Sequence, residues 1–282
     1  MSKQLTDAAV AQFDGEVKHA YQGMGMLRPT VRNRTGVVGS THRFPKMGKG
    51  TATPRISQTD VVPMNIAHTN ATATLEDWNA PEYTDIFDQQ KVNYSERQEL
   101  ATVIAGAIGR REDQLIIDAI DAASTTLTVS EAIGGANTGL NTSKLRRAMR
   151  LLDDNAVPAG QRYFLGHAIA KEQLLGETEP TSGDFNTVRA LVNGEITSFV
   201  GFQFLWMETR SEGGLTLASN IRTNYAWHGG PMGSVGLATG INFNTEVNYI
   251  ADKTSWLANG LFSAGAVTID ALGVVEISTY EA

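Results

Sequence analysis

Residues 95–123 read SERQELATVIAGAIGRREDQLIIDAIDAA, and this stretch decides the fold. Ser95 is followed three residues later by Gln98, the pairing of a capping box at a helix start. From there Leu100, Val103, Ile104, Ala107, Ile108, Leu115, Ala119 and Ala122 recur at helical spacing, and no proline interrupts the run. A helix of about 28 residues is roughly 40 Å long, the length of a structural spine. Ile104 and Ile108 are expected to face the body. Gly106 and Gly109 lie inside the run and cost about 1 kcal/mol each against Ala. Close packing of another backbone would offset that cost.

Upstream, residues 37–75 read as a long β-excursion. Val37-Val38 and His42-Arg43-Phe44 lead into the tip KMGKGTATPR (46–55), and the chain returns through Val61-Val62-Pro63-Met64-Asn65-Ile66 to Leu75. Gly and Pro mark the tip and β-branched residues mark the arms. A long two-stranded projection is marginal alone and leans on something else. Residues 1–36 carry weak helical character near Asp7 to Tyr21 and break at Gly23, Gly25 and Pro29. Isolated in water, such a segment buries little and stays mobile.

Downstream, helix and strand alternate. Asn141 or Thr142 caps an amphipathic helix through Leu145, Ala148, Met149 and Leu152 that ends before Pro158. Arg162 to Leu165 reads as a strand, His167 to Leu175 as a helix stopped by Gly176, and Asp184 caps a helix that stops at Gly194. A strand alternates Phe202, Phe204 and Trp206; after a Gly-rich stretch (229–240), Asn242 to Ala251 and Gly265 to Ser278 read as strands. The class is α+β.

The 282 residues carry 41% apolar and 19% charged side chains, enough for a sizeable core. Net charge is −7, the wrong sign for a chain that merely coats nucleic acid. It is unevenly spread: residues 1–56 hold nine Lys/Arg against three Asp/Glu, and the rest holds fourteen against twenty-seven. Between Thr35 and Thr59, Arg43, Lys46, Lys49 and Arg55 occur without an acid. This segment is read as a basic arm that touches phosphate, as an extension that docks on the acidic body of another copy, or as a solvated loop. There are no cysteines, which removes disulfides, thiolate metal sites and thiol catalysis. No secretory h-region opens the chain, and the longest nearly apolar run, Ala101 to Gly109, is too short to span a bilayer.

Catalytic motifs are missing. No GxxxxGK[ST], HExxH, GxSxG or calcium-loop pattern occurs, and Gly23-Met24-Gly25 lacks the rest of a dinucleotide fingerprint. His19, His42, His68, His167 and His228 never fall within four residues of one another, so each is read as a surface or interface hydrogen-bonder and no metal or cofactor is expected. Acids cluster at Glu76-Asp77, at Glu82 and Asp85, and at Glu112-Asp113. They read as a solvated face or as partners for basic residues rather than as a glycosidase pair. Trp78, Trp206, Trp227 and Trp256 read as core or interface anchors.

The order of these elements, with Ala73-Thr-Leu-Glu-Asp-Trp-Asn-Ala-Pro-Glu-Tyr-Thr-Asp-Ile86 running into the long helix, resembles the major capsid proteins of tailed bacteriophages, the Hong Kong 97-type fold. Leu75 to Ile120 is most alike, and the ordering covers nearly the whole chain. The resemblance implies an N-terminal arm (1–36), an extended β-hairpin loop over a neighbouring subunit (37–75), a peripheral domain with the spine helix (76–130), an axial domain (131–240) and return strands of the peripheral domain (241–282). It further implies a non-enzymatic coat protein of the virion, assembled in the bacterial cytoplasm as hexamers and pentamers of an icosahedral shell around double-stranded DNA. The DNA would be enclosed without specific binding, and portal, scaffold or decoration proteins would be further partners. No membrane is involved. Inter-subunit contact falls to Arg28, Arg32, Arg34, Arg43, Lys46, Lys49 and Arg55. Two other functions are weighed: a hydrolase whose carboxylates converge only in the fold, which needs a deep pocket lined by two perturbed acids, and a DNA-binding module using residues 28–55.

Overall fold

In the computed structural model, the structure describes residues 23–89, 96–123, 127–177, 197–210 and 212–281. The expected helices at Asp7–Tyr21 and Asp184–Gly194 and the Ser95–Gln98 capping box lie outside them. A 3₁₀ turn at Arg28–Thr30 leads to β1 (Arg32–Thr35). Then come β2 (Thr41–Met47), β3 (His68–Thr74), β4 (Glu76–Asp85), α1 (Ile86–Gln89) and α2 (Glu96–Asp121). The chain continues through β5 (Thr128–Val129), α3 (Thr142–Asp154), β6 (Arg162–His167), α4 (Ala168–Leu175), β7 (Ser198–Phe199) and β8 (Phe202–Met207). It finishes with β9 (Leu217–Ala218), β10 (Ile221–His228), β11 (Val235–Thr239), β12 (Asn244–Ile250), β13 (Ser255–Thr268) and β14 (Val274–Tyr280).

Two sheets organise these elements. A five-stranded sheet runs β1-β11-β13-β12, with β4 also paired to β13. The spine helix α2 lies on it and, as expected, buries Ile104 and Ile108, together with Ile116, Ile117 and Ile120. Their partners include Leu237 and Phe262 of the sheet and Trp227 of β10. Gly109 lies against Gly25: a Cβ on either would fall within about 3 Å of the other's backbone, so the helix glycine has the close backbone neighbour its cost implies.

The second sheet has seven strands, β5-β14-β10-β6-β8-β7 with β9 on β10. Helices α3 and α4 close its core, where Leu145, Ala148, Leu152, Ala170 and Leu174 meet Phe164, Phe202, Val275 and Ile277. Asn141 caps α3 by accepting the Lys144 N–H at 2.9 Å. Strands β2 and β3 form a separate antiparallel hairpin, in register from Thr41↔Thr74 to Met47↔His68. Phe44 fixes its base by packing over Gly236 and Ala238 of β11.

The sheets cut across the segments expected from sequence. Leu27 and Val31, in the segment expected to be a mobile arm, are core residues, and β1 adds a parallel strand to β11. The Gly-rich stretch contains β11, all five residues of it buried. The strand expected over Gly265–Ser278 is two strands in different sheets, because the chain turns at Asp270–Gly273 between β13 and β14. Residues 229–234 carry it from the seven-stranded sheet to the five-stranded one, and 269–273 carry it back. The two crossings bond to each other: the Ser234 carbonyl accepts the N–H groups of Ile269 (2.7 Å) and Asp270 (3.1 Å).

Candidate assembly surface

The seven basic residues separate into two groups. Arg28 leaves the 3₁₀ turn toward α2, pairing with Glu112 at 3.3 Å and donating to Asn242 Oδ1 at 3.1 Å. Arg32 lies over the Phe44 ring at 5.7 Å. Lys46 pairs with Asp270 at 2.8 Å. These three tie the arm, the hairpin and the crossing segments together within one chain. By contrast Arg34, Arg43, Lys49 and Arg55 are exposed. The Lys49 ammonium donates to the Asn155 carbonyl, at 3.5 Å.

Beyond the hairpin, residues 48–67 form no helix or strand. Their apolar side chains lie open to solvent: Val61 is 89% exposed, with Ile56, Val62 and Met64 all above half. Burying such side chains is worth about 1.5–3 kcal/mol each, so the segment gives up substantial free energy while unpartnered. The exposed carboxylates of β4, Glu76, Asp77 and Glu82, form an acidic margin on the five-stranded sheet.

Glu112 and Asp113, read from sequence as solvated or as partners of basic residues, are buried partners. Asp113, 1% exposed, accepts the backbone N–H groups of Met26 (3.0 and 3.1 Å) and Leu27 (2.9 Å) and pairs with the Arg210 guanidinium at 3.0 Å. Burial raises both carboxyls above the usual carboxylate range; the N–H donors and Arg210 pull Asp113 back, and Arg28 pulls Glu112 back. Sequence reasoning missed this clamp, although Asp113 lies three and four residues before Ile116 and Ile117 on the buried stripe. Arg210 carried no signal.

Two histidines are interior rather than surface. His167 hydrogen-bonds Thr209 Oγ1 at 2.9 Å and sits 3.5 Å from Glu281, which Arg222 grips through both carboxylate oxygens at 3.1 and 2.9 Å. Burial, then the nearby Arg222 charge, lowers the His167 pKa, against the pull of Glu281. Burial and the Arg162 charge likewise lower His228. Lys144 is fully buried, donating to the carbonyls of Thr138 (2.6 Å) and Ser278 (3.1 Å), and burial lowers its pKa to about 8. The tryptophans anchor as expected: Trp227 is core, Trp206 stacks on Phe204, and Trp78 lies under the Arg111 guanidinium at 3.7 Å.

None of this makes a hydrolytic site. Five surface clefts are lined by at most one carboxylate each, Asp60 in one and Glu212 in another, and the perturbed acids hold the arm instead. Among the described residues no cluster of three His, Asp or Glu could hold a metal ion, and no helix is long and apolar enough to cross a membrane.

A family model described as phage capsid protein matches residues 5–281. No curated protein matches the sequence. Among solved structures, the chain is similar to the capsid of Cyanophage P-SCSP1u (16% identity, TM-score 0.79, 99% of this chain and 95% of that one). It is also similar to the acid-stable capsid of Helicobacter pylori bacteriophage KHP30 (10%, TM-score 0.74, 98% of each chain). A third similar structure is the capsid of Ralstonia phage GP4 (9%, TM-score 0.72, 98% and 96%).

Proposed function

The chain belongs to the phage capsid protein family, and from that premise we propose that it closes its shell through hexamers and pentamers in which each hairpin loop lies on a neighbouring copy. It is a structural coat protein of the virion, not an enzyme, with the Hong Kong 97-type fold. In the proposed assembly the five-stranded sheet with α2 forms the peripheral domain, the seven-stranded sheet with α3 and α4 forms the axial domain, and 37–75 forms the loop between subunits. The shell encloses double-stranded DNA without gripping it, and portal, scaffold or decoration proteins attach to it.

The single observation that supports this reading most is the state of residues 48–67: apolar, basic and without a core of their own. Arg28, Arg32 and Lys46 brace the loop from within the chain. Arg34, Arg43, Lys49 and Arg55 meet carboxylates of the next copy, for which the acidic margin of β4 is the complementary surface. Each exposed pair is worth about 0–1 kcal/mol. Repeated at every contact, such pairs set orientation and assembly rate more than affinity.

The test is Lys49→Glu with Arg55→Glu, read by electron microscopy and sedimentation of the purified subunit. Assembly should fail or slow while the subunit keeps its fold, and the wild-type subunit should bind DNA weakly at physiological salt. Normal assembly of the double variant, with tight and steeply salt-dependent DNA binding by the wild type, would assign the basic segment to nucleic acid instead.

A further inference from the structure

Strands β4 and β12 both pair with residues 255–261 of β13, so they occupy its opposite sides, and among the described strands each is an edge there. The two edges are built differently. Strand β4 carries Glu76, Asp77, Glu82 and Asp85 and a proline, Pro81, the features that discourage a further strand from adding. Strand β12 reads NTEVNYI, with one charge, Glu246, and no proline. Five of its seven residues are exposed, on both faces of the sheet, and no described strand pairs with its outer edge. Val247 is 41% and Tyr249 47% exposed, with Tyr249 leaning on Trp256 at 5.4 Å between ring centres. A seven-residue strand left this open is a template for pairing.

We propose that the outer edge of β12 pairs antiparallel with β12 of a second copy, across a two-fold axis centred on Val247. The proposal rests on the subunit being a shell component, since assembly is what brings two copies edge to edge. The sequence of the strand selects this occupant. With the axis at Val247 all seven residues overlap, Val247 meets its own counterpart, Thr245 lies opposite Tyr249, and Glu246 lies opposite Asn248. Moving the axis to residue 246 sets Glu246 directly against itself, a destabilising like-charge pair. Two other exposed segments among the described residues fit less well. Residues 48–67 are interrupted by Pro54 and Pro63 and by left-handed backbone at Gln58 (φ 63°) and Asn65 (φ 46°). Strand β3 offers only His, Thr, Asn and Ala side chains, little to cover Tyr249. A self-complementary patch of this kind produces an isologous contact, which links two subunits and closes.

The cysteine-free chain makes the test direct, because any introduced thiol is the sole one. Particles of Val247→Cys subunits, verified by microscopy, are oxidised mildly and run on a non-reducing gel. Directly opposite residues of an antiparallel pair bring their Cβ atoms to about 4.5–5.5 Å, within reach of a disulfide after small adjustment. Covalent dimers and nothing larger are expected, with Asn79→Cys on β4 remaining monomeric. If Val247→Cys does not assemble, co-assembled Thr245→Cys and Tyr249→Cys subunits serve: they should crosslink to each other and neither to itself. Well-formed particles with no crosslink at these positions would overturn the pairing. So would a ladder of multimers from Val247→Cys/Ala71→Cys subunits with no dimer from Val247→Cys alone. A wild-type chain that forms no closed particle fails the shell reading, a result separate from both.

Discussion

Replacing Asp113 by Ala should release the N-terminal segment from the body. The carboxylate accepts the N–H groups of Met26 and Leu27 and pairs with Arg210, whose side chain is 2% exposed. Without it, Arg210 keeps Glu208, at 2.7 Å, as its carboxylate partner among the described residues. Breaking a buried ion pair by removing one partner costs about 3–5 kcal/mol, and a buried unsatisfied N–H about 1–3 kcal/mol. These do not add, because the chain has an escape: residues 23–31 can undock and let water reach all the orphaned groups. Undocking forfeits the burial of Leu27 and Val31, about 1.5–3 kcal/mol each. The two routes cost alike, so Asp113→Ala should destabilise the subunit by about 4 kcal/mol. Hydrogen exchange at the Met26 and Leu27 amides and tryptic cleavage after Arg32 and Arg34 read the release directly. Both should rise sharply in Asp113→Ala and moderately in Asp113→Asn, which keeps an acceptor and loses the charge. Unchanged exchange and cleavage in Asp113→Ala, with an unshifted denaturation midpoint, would refute the clamp.

Three further outcomes are expected. Ile104→Asp should abolish soluble expression of folded subunit, since an unpaired carboxylate under α2 costs several kcal/mol; a folded, assembling variant by circular dichroism and microscopy would contradict the packing. Gly109→Val should displace Gly25 and expose the arm to trypsin while leaving the seven-stranded sheet intact, as near-ultraviolet spectra can check. Lys144 sets a pH dependence: its folded pKa of about 8 lies below the unfolded value of about 10.4. Between these values the unfolded chain holds a proton the folded one has shed. Stability therefore rises with pH there, by about 3 kcal/mol in all, and denaturation curves of Lys144→Met should lose that rise.

Much of the fold was legible because it is written in local periodicity. The apolar stripe of α2 gave its length to within three residues at the C-terminal end. The hairpin expected over 37–75 is formed by β2 and β3, but the β-branched return run 61–66 is no strand and β3 lies on the Thr/Ala alternation after it. What could not be read depends on distant partners. Leu27 and Val31 sit among Gly, Pro and Arg with no period, and their burial depends on distant partners: Asp113, more than eighty residues away, accepts the Leu27 N–H, and β1, directly after Val31, pairs with β11. Strand β11, VGLAT, reads as a glycine-rich linker, yet Gly236 is what allows the Phe44 ring to seat. Asp270 gave no sign that a run of β-formers would be divided between two sheets. Of the seven basic residues, charge alone could not separate Arg28, Arg32 and Lys46, which bind within the chain, from the four that face outward.

The doubled crossing at Ser234 has a mechanical consequence. Two sheets joined by one covalent linker can rock about it, whereas two linkers bonded to each other at the same point resist both rocking and twist. Lys46 pairs the outer end of β2 with Asp270 in that junction, so the start of the loop is tied to both sheets. Lys46 is one residue from the end of β2, so the loop that begins at residue 48 leaves directly from that anchor. In the proposed assembly, strain that a neighbour imposed on the loop would reach both halves of the subunit together, and a shell of such units would change curvature by tilting whole subunits rather than by bending them.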